Sequence, residues 1–207
     1  MLSLLRHAAL RRPLSDVKGR RGELSWPDGR LVRACLRGSE DAWGALLEKY
    51  KNLIFSIPIR QGIPRDDAGD IFQRVCLLLL AELPSIREPA ALPMWLIRVT
   101  SHECLRWRRQ EQAHAASPSG ELALAPDAQL LPDETIARIK EEQMLREAIV
   151  TLAPRCRQLI QMLFFESPAR PYQEVAHSLG LAVGSIAFIR RRCLTRLRRQ
   201  LEKMGLR

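Results

Sequence analysis

The sequence predicts an all-α protein of two small helical domains joined by a flexible linker, the second domain containing a helix-turn-helix. Three observations lead there. Aromatics make up only 5% of the chain against 46% apolar residues, so its cores must lean on Leu, Ile, Val and Ala, a composition that favours helices. Apolar residues recur at helical spacing in two blocks, 28–110 and 133–207. Between the blocks, residues 111–132 are rich in Ala, Ser, Gly and Pro with no sustained period, which reads as a linker. The 207 residues leave room for one domain or two small ones.

Residues 1–27 read as a basic tail, expected to be disordered, that ends at Trp26-Pro27 and lacks the apolar stretch of a secretory signal. In the first block, Ser39-Glu40-Asp41 opens a helix running towards Ile57, where Pro58 should kink or end it. Pro64 suits the first turn of the next helix, and Asp66, Asp67 and Asp70 suit its positive end. That helix continues through Ile71, Gln73, Arg74 and Leu77 to about Leu83 and is apolar on nearly every side, so part of it should be covered by a partner protein. After Pro89 a long helix carries Arg98, His102, Arg106 and Arg109 at spacings of four, four and three, one cationic stripe flanked by Trp95 and Trp107. Guanidinium groups reach phosphates and aromatic faces accept unstacked bases, although the same stripe is compatible with a solvated face beside core tryptophans.

The second block opens with a helix over about Asp133–Leu152, and Pro154 begins another, Arg155–Phe165. Tyr172–Leu194 then has the pattern of a helix-turn-helix. Val175, Ala176 and Leu179 form an inner face, Gly180 supplies the left-handed stop, and Leu181 and Val183 should seal the turn. Ile186 and Ile189 face inward on the second helix. Ser185, Ala187, Phe188 and Arg191 are left to face outward with Arg190 and Arg192 beside them, at the end of the helix that enters a major groove. From Arg190 onward, eight positive residues face one Glu202. With a net charge of +10 for the chain, phosphate contact and strong salt dependence are expected.

Other function classes find little support. There is no Walker loop, dinucleotide glycine fingerprint, zinc spacing or nucleophile elbow, so neither catalysis, cofactor nor metal is expected. No apolar run reaches a membrane span. Cys35, Cys76, Cys104, Cys156 and Cys193 are odd in number, widely spread and set in helical patterns, and read as buried thiols in a reducing cytoplasm.

Together the two blocks resemble the extracytoplasmic-function group of bacterial sigma factors, in an actinobacterial variant, over about residues 28–204. Leu31–Gly38, Ala42-Trp43 and Leu46-Leu47 are similar to the family's opening helices. Asp67-Ala68-x-Asp70-Ile71-x-Gln73 matches its polymerase-binding helix, and Trp95–Val99 with Glu103–Arg106 resembles the element that melts and reads the minus-ten region. Tyr172–Ala176, Gly180 and Val183–Ile186 resemble the reader of the minus-thirty-five element, and Arg190-x-Arg192-Cys193-Leu194-x-Arg196 resembles an actinobacterial ending. Arg74 and Gly69 depart from the family pattern. The resemblance implies a transcription initiation factor that partners core RNA polymerase, through the large subunit's clamp helices and flap, and promoter DNA. It implies that Asp67, Asp70, Ile71, Gln73, Arg74 and Leu77 meet polymerase. It further implies that Trp95, Arg98, His102, Arg106, Trp107 and Arg109 meet melted DNA. An anti-sigma factor is left open as a further partner. A linker of roughly 22 residues spans about 26 Å as a coil and at most about 75 Å extended, against about 70 Å for two turns of DNA. The resemblance implies that it is threaded through polymerase. The rival reading is a helix-turn-helix regulator that binds DNA without polymerase.

Overall fold

The structure, a computed structural model, describes residues 23–115, 131–166, 168 and 170–206. Among the described residues there are α-helices and short 3-10 turns but no strand. The chain forms two compact units, residues 1–140 and 141–207. The division falls inside a helix rather than between 132 and 133, because Leu131, Ile136 and Ile139 pack on the first unit's core. The expected tail ends sooner than Pro27. Glu23–Ser25 is a 3-10 turn, Leu24 and Trp26 pack on the core, and the Arg30 guanidinium lies 3.7 Å from the Trp26 ring centroid. Residues 1–22, the rest of that tail, lie outside the described residues, as do 116–130 of the expected linker.

The first unit holds α1 (Asp28–Leu36), α2 (Glu40–Arg60), α3 (Arg65–Glu82) and α4 (Leu92–Ala115), with α2 packed against the other three. The α4 helix continues five residues past the expected boundary at 110, so the linker cannot begin before residue 116. Asp28 ties α1 to α2: its carboxylate accepts from Lys49 Nζ at 2.7 Å and from the hydroxyl of fully buried Tyr50 at 2.8 Å. Ser39 caps α2, its Oγ accepting from the Ala42 N–H at 3.2 Å. Pro58 does not end α2 at Ile57. It sits in the last turn, where a missing N–H costs one bond, and its carbonyl accepts from Gln61 and Ile63. Phe55 and Phe72 stack across α2 and α3 with ring centroids 4.7 Å apart. On α4 the buried Thr100 and Ser101 hydroxyls donate to the carbonyls of Leu96 and Ile97, each at 2.7 Å.

Gly69 lies within α3 with nothing inside 4 Å of where a Cβ would stand. Gly69→Ala is therefore expected to raise the first unit's stability by about 1 kcal/mol, the helix-propensity difference, in urea unfolding.

The second unit uses the C-terminal part of α5 (Asp133–Thr151), then α6 (Pro154–Phe164), α7 (Tyr172–Leu179) and α8 (Ile186–Lys203). Two small cores hold it. Ala148, Ile149, Leu152, Cys156, Ile160, Cys193 and Leu197 make one, and Leu159, Val175, Ala176 and Ile186 the other. Gly180 ends α7 at φ 62°, ψ 46°, and the Leu181 N–H closes the turn on the Ala176 carbonyl at 2.9 Å. Leu181 packs beneath the turn, but Val183 is 46% exposed and seals nothing, since it opens the 3-10 turn Val183–Ser185 on the outer side.

The cysteines divide. Cys156 on α6 and Cys193 on α8 form a disulfide, Cα–Cα 5.4 Å, which corrects the expectation of five free thiols. Both point inward from helices that the helix-turn-helix packs together, so the two thiols meet in one core. Cys35, Cys76 and Cys104 are free and buried in the first unit. Burial pushes each thiol up to about 12 from about 9; at Cys104 the nearby Arg108 opposes that rise. The native protein should therefore react with no thiol reagent quickly at pH 8. Denaturation without reductant should release three thiols, and all five should react only after reduction. The raised values also set an alkaline limit. Unfolded thiols lose their protons near pH 9 while the folded ones keep theirs, so this contribution to stability is whole below 9 and falls as pH climbs towards 12.

Candidate nucleic-acid interface

In the second unit, Ile186, Cys193 and Leu197 hold α8 against the core. Its other side then projects away from it. Ala187, Phe188, Arg190, Arg191 and Arg192 are all exposed, as are Arg196, Arg198, Arg199 and Lys203 further along. Ser185 is half-buried just before α8; its Oγ donates to the Ala182 carbonyl at 2.7 Å, which leaves its lone pairs as acceptors. Thus five of the six residues expected to read an upstream duplex lie on the first turns of α8, and the sixth, Ser185, immediately precedes it. The arginines are ordered by what surrounds them. Arg190 lies 6.0 Å from the Tyr172 ring and Arg192 5.8 Å from the Phe188 ring. Arg198 pairs with Glu202 at 2.9 Å, the one acid among the basic residues there, and both are largely exposed. An exposed helix face of this density attracts phosphate and leaves its N-terminal turns for base edges.

In the first unit, Leu96, Ile97 and Cys104 anchor α4, and the opposite side presents Arg98, His102, Arg106 and Arg109, all exposed. Trp95 and Trp107 are half-buried, packed on the core by one part of each ring. Arg108, not among the expected contacts, donates to the Gln61 carbonyl at 2.9 Å and ties α4 to the end of α2.

On α3, Asp70, Gln73 and Leu77 are exposed, Leu77 by 45%, at spacings of three and four that put them on one stripe. Leu78, 38% exposed, extends it and was not singled out in the sequence. Ile71 does not belong there. It is fully buried in the core, one position round the helix from Asp70, so its expected contact with a partner is withdrawn. Asp67 is half-exposed, and Arg74 turns towards buried Glu103 at 3.9 Å, filling part of its charge internally. Among the described residues no cluster of three or more His, Cys, Asp or Glu is placed to hold a metal, and no helix is long and apolar enough to cross a membrane.

Residues 148–199, which contain α6, α7 and most of α8, match the family described as Sigma-70, region 4. Over these residues the chain is similar to that family. It is also similar to the RNA polymerase sigma-E factor of Streptomyces avermitilis, 25% identical over 140 residues that cover 68% of this chain and 74% of the relative. The matched residues include the turn between α7 and α8 and most of the exposed face of α8.

Proposed function

We propose that this chain is a sigma factor that binds core RNA polymerase and directs it to a defined set of promoters, acting by binding alone rather than by catalysis. The observation that carries this is the exposed face of α8, where Ala187, Phe188 and Arg190–Arg192 stand free on a family-matched helix-turn-helix. That face docks in the major groove of the upstream promoter element. The α4 stripe of Arg98, His102, Arg106 and Arg109 follows the phosphates of the melted element, and the free parts of Trp95 and Trp107 receive unstacked bases. The α3 stripe of Asp70, Gln73 and Leu77 seats on the clamp helices of the large polymerase subunit, and the second unit meets the flap. The residues between α4 and α5 thread through polymerase. An anti-sigma factor would be a further partner, and the cytoplasm the site of action.

Run-off transcription with core polymerase from the source organism on a genomic fragment library tests the proposal. Specific transcripts are expected only when the factor is present, and their absence from every fragment would sink it. On a promoter found this way, Arg191→Ala should weaken upstream binding about tenfold, the loss of one base-edge contact, without moving the unfolding transition.

A further inference from the structure

The outer face of α8 carries one feature that phosphate binding does not use. Phe188 is 58% exposed, the most exposed of the large apolar side chains among the described residues, and it stands next to exposed Ala187 amid arginines. Together with Arg191 and Leu194 these two line a shallow concavity along the helix. Neither side chain can donate or accept a hydrogen bond. The ring is held on one side by the Arg192 guanidinium, 5.8 Å away, rather than by any core. The surrounding cationic surface selects a polyanion as its occupant. Among the groups a DNA major groove displays, the thymine C5-methyl is the one apolar group of any bulk, cytosine offering only a C5–H at the same place. An apolar side chain on groove-entering turns therefore matches one base and mismatches the others, which present polar edges there.

We propose that Ala187 and Phe188 read thymine methyl groups, making Phe188 a specificity-determining residue and requiring thymine at the contacted position of the upstream element. Arg191 on the adjoining turn supplies polar readout, so apolar and polar discrimination sit side by side on one helix. This rests on the reading of α8 as the upstream promoter reader.

The test uses holoenzyme assembled from the full chain and core polymerase. Upstream duplexes are selected from a pool randomised over the upstream element, and each thymine of the selected sequence is then replaced singly by deoxyuridine, which removes only the methyl group. Affinity should fall about three- to tenfold at one or two thymines, the scale of a buried methyl contact. Holoenzyme carrying Phe188→Ala should bind the thymine and uracil forms equally at that position. Since Phe188 is exposed, that substitution should leave the unfolding transition in place. Equal binding of thymine and uracil forms by the unaltered protein at every position, or a selected element without thymine, overturns the inference. So does a Phe188→Ala protein that keeps the full discrimination. Failure to select any element would instead remove the reading of α8 on which the inference stands.

Discussion

Reduction of the Cys156–Cys193 bond is expected to lower the second unit's stability by about 3–4 kcal/mol, the chain-entropy value for a loop closed across 37 residues. The unit is small and its two cores are thin, so this is a large share of what a domain of its size possesses. In a thermal melt it amounts to a fall of roughly 15–25 °C for that unit's transition. Adding dithiothreitol should move the wild-type transition down and leave Cys156→Ser with Cys193→Ser unmoved. An unchanged wild-type transition would refute the assignment of this bond. The effect on DNA binding should be much smaller at 25 °C. Affinity falls only by the fraction of molecules whose α8 is in place, so a unit still stable by 1–2 kcal/mol loses less than a factor of two. Cys193 directly follows Arg192 on α8, and the loss should grow steeply only as the lowered transition is approached.

The sequence made the second unit more legible than the first, for physical reasons. Gly180, Ala176 and the alternation of Ile186 and Cys193 with outward arginines are local signals, and local signals fix a helix-turn-helix nearly by themselves. The partner of a cysteine is not local. Cys156 and Cys193 are 37 residues apart without any motif, and their pairing follows only once α6 and α8 are seen to share a core. Inward position on both helices was the signal available. Ile71 failed for the opposite reason. It stands in a motif that matches as a string, but on a helix adjacent positions point about 100° apart, so a match of consecutive residues cannot put all of them on the contact face. Where the first unit ends was also invisible, because it depends on Ile136 and Ile139 reaching the first core from beyond residues 116–130.

Replacing Leu77 by Asp should reduce affinity for core polymerase about a hundredfold, or about 2.7 kcal/mol. Leu77 is 45% exposed, with Leu78 beside it, so an exposed apolar pair ends the stripe begun by Asp70 and Gln73. A carboxylate at that point would be driven out of water by docking without a cation to meet it, which costs far more than loss of the leucine contact. The polar members are worth less: Asp70→Ala with Gln73→Ala should cost about tenfold, because both keep water as an alternative partner. Fluorescence titration of labelled factor with core polymerase measures either variant. Because Leu77 lies outside the core, urea unfolding should be unchanged, which separates lost docking from lost folding. Binding of an upstream duplex by the second unit's α8 in the intact chain should be unchanged as well, since no residue of α3 belongs to that unit. Equal polymerase affinity of Leu77→Asp and wild type would exclude this face of α3 as the docking surface. A polymerase-independent regulator would tolerate Leu77→Asp in every DNA-binding measurement. The same substitution therefore separates the two functions that the helix-turn-helix alone is able to serve.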